Sequence, residues 1–295
     1  MAEPLFRRLT LIGTGLIGGS VARIARARGD IAGEVVVTAH SAATLARVAE
    51  LGFADRIEPD AARAVEGADC VMLCAPVGAY AGIMTAIAPH LAEGAIVTDV
   101  GSTKASVIRD IVPLLPSHAR LVPAHPIAGT EFSGPDSGFA ELFQGRWTLL
   151  TPLPDGDPAA TELVAELWRR CGSMISIMDA AHHDRVMAMV SHLPHLLAFT
   201  ICGTADDLEG ESRQEVLQFA ASGFRDFTRI AASDPVMWRD VFMNNRAALL
   251  EMLARFTEDA QAMARAVRWG DAAYIENRIE RGRAIRRTLI EIKQA

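Results

Sequence analysis

A glycine-rich turn between an apolar run and an alanine-rich segment is the feature that most restricts what this sequence can fold into. Residues 9–12 are mostly apolar and predict a buried strand, residues 20–28 predict a helix, and G-T-G-L-I-G stands between them. Strand, G-x-G-x-x-G and helix in this order are typical of a dinucleotide-binding turn, whose glycines permit the tight bend, admit the pyrophosphate and let the helix pack closely. The alternative is a glycine turn with a purely structural role. We predict cofactor contacts from Gly13, Gly15, Leu16, Ile17 and Gly18.

Three further apolar runs predict more strands of the same sheet. They cover residues 35–39, 69–76 and 95–100, with a helical segment at 80–91. Nearly unbroken apolar strands that alternate with helices are typical of a parallel sheet covered on both faces, and ligands bind beyond the carboxyl ends of its strands. We therefore predict additional cofactor contacts from Ala75, Pro76, Val77 and Ser102.

Ser102 and Lys104 directly follow the end of the last of these strands. Their hydroxyl and ammonium groups are placed to meet a nicotinamide or its substrate. The alternative is that Ser102 and Thr103 cap the helix predicted at residues 104–115, since hydroxyl side chains accept hydrogen bonds from the first helical amides. The two interpretations are compatible, and both stay open.

The end of the second strand usually decides between NAD and NADP. An acidic residue there binds the ribose of NAD, whereas an arginine accommodates the 2′-phosphate of NADP. Here the chain reads Ala-His-Ser at residues 39–41, and the nearest arginine is Arg47, so the pattern matches neither rule. We predict contacts from His40 and Ser41, with an exposed loop histidine as the alternative for His40. NAD is the predicted cofactor because no basic residue is adjacent, and NADP stays open.

The alternation of strands and helices stops near Asp179. Residues 147–151 and 174–178 predict two last strands, and beyond them apolar residues recur at helical spacing. The predicted fold class is α/β, with an N-terminal Rossmann-type parallel-sheet domain at residues 1–179 followed by an all-α domain at residues 180–295. Because the helical half is too apolar for a solvated bundle, we predict that it forms a homodimer.

His125 is the strongest candidate for acid–base chemistry. It stands between Pro123 and Pro126, on what the sequence predicts to be a rigid, irregular loop at the ligand edge of the sheet. Imidazole titrates near neutrality and is the usual base for removing a hydroxyl proton. We predict that His125 is a general base; the alternative is a packed loop histidine.

A proline in the helical half marks a second group of candidates. Pro194 removes a backbone donor and should kink its helix, leaving Ser191, His192 and His195 beside a cleft. The alternative is that these histidines are ordinary helix residues.

Two arginines flank Asp226 in the segment 222–229. Arginine binds carboxylates in a fixed, bidentate geometry, so Arg229 is a candidate for substrate recognition. The alternative is an ion pair of Asp226 with Arg225 or Arg229.

A metal site is a further alternative, because histidines and an aspartate cluster between residues 182 and 195. The candidate ligands are His182, His183, Asp184, His192 and His195. On one helix, however, the first three lie about two turns or more from the last two. We therefore predict no metal.

Composition argues against several classes of partner. The formal net charge is −7 and no long basic run occurs, so nucleic acid is not expected. No uncharged apolar run reaches the ~18 residues of a membrane span, and the first residues lead straight into the first strand without room for a signal peptide. The four cysteines are scattered and are interpreted as reduced. We predict no membrane contact and a cytoplasmic location.

These stretches together resemble the prephenate/arogenate dehydrogenase family of tyrosine biosynthesis. The matching segments are GTGLIGGS at residues 13–20, DVGSTK at 99–104, HPIAGTE at 125–131, HHDRVMAMVSHLPH at 182–195 and SGFRDFTRIAASDPVMW at 222–238. They follow the family's order over nearly the whole chain. The family joins an N-terminal Rossmann-type domain to a helical domain that dimerises, and this chain resembles its stand-alone form, without a chorismate mutase or ACT segment.

The resemblance implies oxidative decarboxylation of prephenate or arogenate, with hydride transfer to a nicotinamide and loss of CO2 to leave a phenol. By position, His125 takes the proton of the 4-hydroxyl, and Ser102 holds His125 and the nicotinamide in register. Arg229 binds a substrate carboxylate. The substrate's side chain and the pocket wall are assigned to His195, His192, Ser191, Glu131, Asp226 and Trp238.

Two rival interpretations stay open. Another dehydrogenase of the Rossmann-plus-helical plan, acting on hydroxyacids or imines, typically uses a lysine base in its helical half, where this chain has only Lys293. A non-catalytic nucleotide-sensing module would bind the cofactor without reducing it when prephenate or arogenate is added.

Overall fold

A computed structural model describes residues 3–130, 132–208 and 211–292 of the chain, the side chains of residues 211 and 212 excepted. Glu131 and Lys293, which the sequence singled out, lie outside the described residues. Contacts divide the chain into two compact units, Met1–Arg246 and Ala247–Ala295. The predicted domain boundary between residues 179 and 180 stays a prediction, since the helices from residue 180 to residue 244 are compact with the sheet.

The first unit is built on a six-stranded parallel sheet in the order β3-β2-β1-β4-β5-β6. Its strands are β1 (Phe6–Ile12), β2 (Ala32–Thr38), β3 (Arg56–Ile57), β4 (Cys70–Leu73), β5 (Ile96–Asp99) and β6 (Arg120–Val122). The helices along this part of the chain are α1 (Leu16–Arg28), α2 (Ala42–Leu51), α3 (Ala61–Val65), α4 (Tyr80–Ile87) and α5 (Ala105–Ile111). The predicted parallel, doubly covered sheet is confirmed.

Both faces of this sheet are buried, because successive side chains of a strand point to opposite faces. In β4, Met72 packs in the cluster that holds Trp168 and Phe143. Val71 packs on the other face, in the cluster that holds Tyr80. An unbroken apolar run is therefore what the position of β4 requires.

A second, three-stranded sheet follows in the order β7-β8-β9, and the sequence did not predict it as a separate sheet. It consists of β7 (Ala124–Pro126), β8 (Trp147–Leu150) and β9 (Met174–Ile177), with α6 (Pro158–Arg170) between the last two. β7 runs antiparallel to β8, and His125 pairs with Leu149. The prediction of an irregular loop at His125 is wrong: the residue lies in a paired strand, which fixes its backbone more firmly.

The remaining helices of the first unit are α7 (Ala180–Met187), α8 (Leu193–Asp206), α9 (Glu211–Gln218), α10 (Ser222–Thr228) and α11 (Pro235–Asn244). A π-helical turn, Ala188–His192, joins α7 to α8 directly before Pro194. Such turns widen the helix where a regular bond is lost and are frequent at functional sites. The predicted kink therefore takes the form of a π turn that carries Ser191 and His192.

One helical stretch within the described residues, Ala180–Asp206, is long and apolar enough to cross a membrane by length and composition, with a hydropathy of 1.5. Core helices of globular proteins meet the same criterion, so this observation has little weight by itself.

The second unit consists of two long helices, α12 (Arg246–Trp269) and α13 (Ala272–Glu291), the latter capped by the carboxylate of Asp271. Large apolar side chains on both helices are exposed. They include Leu250, Phe256, Val267, Trp269, Ile279, Ile285 and Ile290.

Candidate active site

The glycine turn between β1 and α1 has the geometry that a pyrophosphate requires. Gly13 has φ of 105°, and a Cβ there would lie 2.7 Å from the carbonyl oxygen of Cys74. A Cβ at Gly18 would lie 2.2 Å from the carbonyl oxygen of Gly13, whereas a Cβ at Gly15 would meet nothing within 4 Å. Gly15 is the N-cap of α1 and brings no side chain to the first amides of the helix, which include those of Leu16 and Ile17. The residues present therefore fit a bound dinucleotide.

The next two strand ends lie beside this turn. Gly13 approaches the backbone of Cys74 and Ala75, and a Cβ at Gly101 would lie 2.5 Å from Val77. Three of the predicted cofactor segments are thus contiguous at the carboxyl edge of the sheet, with Pro76 exposed between them. Their contacts with a cofactor stay predictions.

The segment after β2 is less distinctive. His40 is exposed, directly after the strand. Ser41 caps α2, and its hydroxyl accepts a hydrogen bond from the amide of Thr44 at 3.4 Å. Ser41 therefore has a structural role whether or not it contacts the cofactor.

Lys104 does not face the site, contrary to the hypothesis that its ammonium meets the nicotinamide or substrate. Its side chain and that of Asp99 are 0 % exposed, and Nζ donates to Asp99 Oδ2 at 2.5 Å and to the carbonyl of Ala124 at 2.7 Å. Asp99 also accepts from the amides of Gly101 at 2.7 Å and Ala124 at 3.1 Å. Burial lowers the pKa of Lys104, and Asp99 opposes this shift. The Lys104–Asp99 pair therefore hydrogen-bonds both the carbonyl and the amide of Ala124, the residue before His125.

Ser102 and Thr103 do not cap α5, so that alternative is wrong as well. The carboxylate of Asp184, from α7, accepts hydrogen bonds from the amides of Lys104 at 2.7 Å and Ala105 at 2.9 Å. Thr103 bonds the hydroxyl of Ser106 instead, at 2.7 Å. A carboxylate at a helix N-terminus also meets the favourable end of the helix dipole.

His125 is held by another histidine, His183. Its Nδ1 lies 2.9 Å from Nε2 of His183, and Nδ1 of His183 lies 2.8 Å from Oδ1 of Asp184. Within the described residues the Ser102 hydroxyl makes no hydrogen bond and His183 is bonded to His125, so the role that the resemblance implied for Ser102 stays a prediction. Ser102 is half-buried and stays a predicted cofactor contact.

Burial dominates the protonation of these groups. Burial, followed by the nearby His183, Lys104 and His192, holds the pKa of His125 well below its usual range. Burial also lowers the pKa of His183, against the effect of its bond to Asp184. For Asp184, burial favours the neutral acid, but hydrogen bonds from His183 and two backbone amides outweigh it and lower the pKa. At neutral pH the site thus presents neutral imidazoles and one carboxylate.

His192 is linked to the same hydrogen-bond network through Asn245. It is 0 % exposed, and its Nδ1 lies 2.9 Å from Nδ2 of Asn245, which also donates to the backbone carbonyl of Asp184 at 2.8 Å. Burial lowers the pKa of His192 to about 4; Asp184 opposes this shift, and so does the backbone of Ser102, which does not meet hydrogen-bond geometry with the ring. Nε2 of His192 and Nε1 of the buried Trp238 have no hydrogen-bond partner among the described residues.

His195 stacks on Trp238 with ring centroids 3.6 Å apart. Its Nδ1 lies 2.9 Å from the backbone carbonyl of Ser191, so Nδ1 carries a proton that it donates. Burial lowers the pKa of His195, and the charge of Arg229 lowers it further. The structure therefore brings His195, Trp238, Ser191 and Arg229 into one group.

Asp226 is exposed on α10, one turn before Arg229. Within the described part of the chain, the carboxylate of Asp226 forms no ion pair with Arg225 or Arg229. The contacts of Asp226 with a substrate stay a prediction, and those of Glu131 lie outside the described residues.

Sequence reasoning missed three side chains that organise the site: His183, Asp184 and Asn245. The first two were considered only as metal ligands. Among the described residues, no group of three or more His, Cys, Asp or Glu side chains is placed to hold a metal ion. A buried His-Asp pair is visible as a dipeptide, but its partners lie 58 and 80 residues away, and no local pattern indicates them.

This arrangement combines three chemical capacities. A glycine turn can bind a dinucleotide, a neutral imidazole beside the neighbouring strand ends can accept a proton, and a guanidinium near an aromatic stack can bind an anion. Oxidation of a hydroxylated, carboxylate-bearing substrate uses all three.

Two family models match the chain over almost its whole length. The nucleotide-binding domain of prephenate dehydrogenase matches residues 21–177, and the prephenate dehydrogenase dimerization domain matches residues 179–280. The chain is 39 % identical over 273 residues to the cyclohexadienyl dehydrogenase of Zymomonas mobilis, covering 92 % of each protein. It is 32 % identical over 251 residues to the prephenate dehydrogenase of Bacillus subtilis, covering 85 % of this chain and 66 % of that protein.

Solved structures give the same result. Prephenate dehydrogenase from Aquifex aeolicus, in complex with hydroxyphenyl propionate and NAD+, superposes with a TM-score of 0.87 at 30 % identity, over 98 % of this chain and 99 % of that one. Synechocystis arogenate dehydrogenase superposes with a TM-score of 0.80 over 95 % and 99 %, and at 24 % identity it supports the fold alone.

Proposed function

The chain belongs to the prephenate dehydrogenase family, and on this premise we propose that it catalyses the oxidative decarboxylation of prephenate or arogenate. The reaction yields 4-hydroxyphenylpyruvate or tyrosine, within tyrosine biosynthesis. The observation that carries the proposal is His125: a buried neutral imidazole, fixed in a strand and oriented by a second histidine, beside the strand ends that border the glycine turn. Such a group is suited to one task, the removal of a proton from a substrate hydroxyl.

The cofactor and four side chains have separate roles in the proposed reaction. Bound NAD+ supplies the hydride acceptor when it occupies the glycine turn. Nε2 of His125 accepts the proton of the 4-hydroxyl as C4 loses its hydride, and returns the proton to that oxygen when the loss of CO2 leaves an aromatic phenol. Arg229 binds a substrate carboxylate, and His195 and His192 contact the substrate's side chain. Aromatisation drives the reaction, so the protein chiefly orients the substrate and takes one proton.

NAD is the cofactor that this chain's residues favour. Arg47 is the nearest arginine to the end of β2, and its guanidinium is engaged by Asp136 at 2.6 Å and by Glu50 at 2.6 Å. Two carboxylates around Arg47 disfavour a 2′-phosphate there. The relative with bound NAD+ supports the same choice.

The protein acts as a homodimer in the cytoplasm. The exposed apolar side chains of α12 and α13 are what a helical interface needs, and the matched family model is described as a dimerization domain. Sedimentation at micromolar concentration should give one species of twice the chain mass, and a monomer would contradict this part of the proposal.

Steady-state kinetics with both substrates crossed against both cofactors tests the function. We expect reduction of NAD+ with prephenate, arogenate or both, and a lower kcat/KM with NADP+. Asp136→Ala should raise kcat/KM for NADP+ without changing that for NAD+ by more than about two-fold. Cofactor binding without turnover of either substrate would contradict the proposal and leave the nucleotide-sensing module.

A further inference from the structure

Among the described residues, Asp184 is linked by hydrogen-bonded chains to both His125 and His192. Its carboxylate bonds His183, which bonds His125, and its backbone carbonyl bonds Asn245, which bonds His192. Asp184 itself is anchored at the start of α5 by two amides. The hydrogen-bond donors and acceptors can therefore be assigned along two chains of bonds that both start at Asp184.

The first branch determines which nitrogen of His125 is free. Within the described residues two backbone N–H groups donate to the Asp184 carboxylate, and these bonds together with the one from His183 lower its pKa, so the group is ionised. Nδ1 of His183 must then be the donor, which leaves Nε2 of His183 as the acceptor. Nδ1 of His125 must donate to it, and Nε2 of His125 keeps a bare lone pair.

The second branch determines the opposite arrangement at His192. A backbone carbonyl can only accept, so the Asn245 atom beside the Asp184 carbonyl is its NH2 group, and the side chain cannot be flipped. The same NH2 group donates to Nδ1 of His192. The neutral His192 ring then carries its hydrogen on Nε2, the nitrogen without a partner among the described residues.

We propose that Asp184 is a positioning residue that sets opposite tautomers in the two imidazoles, presenting a hydrogen-bond acceptor at Nε2 of His125 and a donor at Nε2 of His192. On the proposed function, these match a substrate that offers a hydroxyl to the first ring and a carbonyl or carboxylate oxygen to the second. His183 links the Asp184 carboxylate to His125, and Asn245 links the Asp184 carbonyl to His192. This assignment gives the buried His183–Asp184 pair a role beside the proposed base.

The test is the tautomer itself, measured in the protein without cofactor or substrate. The 15N chemical shifts of imidazole nitrogens distinguish protonated from bare atoms, and spectra of His125→Asn and His192→Gln variants assign the two rings. We expect Nδ1–H and bare Nε2 at His125, and bare Nδ1 and Nε2–H at His192. Asn245→Leu should leave His192 as a mixture of its two tautomers and should not change the tautomer of His125.

A pair of variants at residue 183 separates positioning from general structure. His183→Phe removes the acceptor for His125, so we expect a mixture of tautomers at His125 and a fall in kcat of ~10- to 100-fold with little change in KM. His183→Gln places an amide oxygen near the position of Nε2, so it should restore the tautomer and most of kcat. The neighbouring exposed His182→Gln serves as the control and should leave both readouts unchanged.

Either of two results would overturn the inference: Nε2 of His125 protonated in the wild-type spectrum, or His183→Phe with wild-type kcat. If His183→Phe does not fold, the spectrum and kcat of His183→Gln decide. Failure of the proposed function is distinguishable, because a protein that turns over neither substrate still reports its tautomers.

Discussion

At the scale of single residues, the chemistry depends on groups that never touch a substrate. Lys104 and Asp99 form a fully buried ion pair that bonds the amide and carbonyl of Ala124, the residue before His125. A buried pair adds little net stability compared with an apolar pair, but removal of one partner leaves an uncompensated charge. The pair therefore acts as a clamp on the backbone of the base.

Lys104→Met should lower the free energy of unfolding by ~3–5 kcal/mol, because Asp99 is left buried without its cation. Urea denaturation measures this loss. The control is Arg7→Met, which breaks an ion pair with Asp69 whose arginine is 86 % exposed and should cost less than ~1 kcal/mol. A loss below ~1 kcal/mol for Lys104→Met would show that the clamp is not needed.

Substitutions of His125 and of Arg229 should change different steady-state parameters. We expect His125→Asn to lower kcat by ~10²–10⁴-fold, because proton removal occurs only in the reaction step. Arg229→Ala should act mainly on KM, because a carboxylate bound equally in ground and transition states contributes to binding alone. Initial-rate measurements with saturating NAD+ decide, and the reverse pattern would refute the role assignment.

At the scale of elements, the turn from β1 to α1 shows which glycines serve the fold and which serve the ligand. Gly13 and Gly18 are required because a Cβ at either would clash with backbone. Gly15 has ordinary backbone angles, and a Cβ there would point into open space. The same motif thus contains both structural and functional glycines.

Gly18→Ala and Gly15→Ala are a matched pair that tests this division. We expect Gly18→Ala to lower the free energy of unfolding by more than ~2 kcal/mol, because its Cβ would lie 2.2 Å from a carbonyl oxygen. Gly15→Ala should cost less than ~1 kcal/mol of stability yet weaken NAD+ binding at least ~10-fold, because the methyl group occupies the approach of the pyrophosphate. Calorimetric titration and urea denaturation measure the two effects. Wild-type affinity in Gly15→Ala would place the pyrophosphate elsewhere.

At the scale of the whole molecule, neutral buried histidines couple stability to pH. Burial lowers the pKa of His192 to about 4 and also lowers those of His125 and His183. In the unfolded chain a histidine takes up its proton near pH ~6.5. Between these values the unfolded state binds more protons, so the free energy of unfolding falls as pH falls and is constant above ~6.5.

His192 alone should contribute roughly 3 kcal/mol to this dependence across the window from pH ~6.5 to ~4. We expect a lower urea midpoint at pH 5 than at pH 7.5, and a smaller difference in His192→Gln. The control is His182→Gln, an exposed histidine on the preceding helix α7, which should keep the full difference. Equal midpoints for the wild type at both pH values would mean that these imidazoles are charged in the folded protein.

The fold was largely predictable because its signals are local. The glycine turn and the unbroken apolar strands specify a parallel sheet covered on both faces, and helical spacing specifies the rest. His125 was predicted to be a base, but its strand was not predicted, because β7 is only three residues long and pairs with β8 more than twenty residues later. A strand of three residues is too short to show the alternation of apolar and polar residues that predicts a strand.

The sequence by itself determined the parallel sheet with its helical half and the dinucleotide turn, and it indicated His125 as the candidate base, because each depends on residues that are neighbours along the chain. Only the tertiary structure decided that Lys104 is buried against Asp99, that Asp184 rather than Ser102 caps α5, and that His183 orients His125. The physical reason is burial. Out of water, each polar group must find a partner, and in a folded chain that partner can come from any distance in sequence.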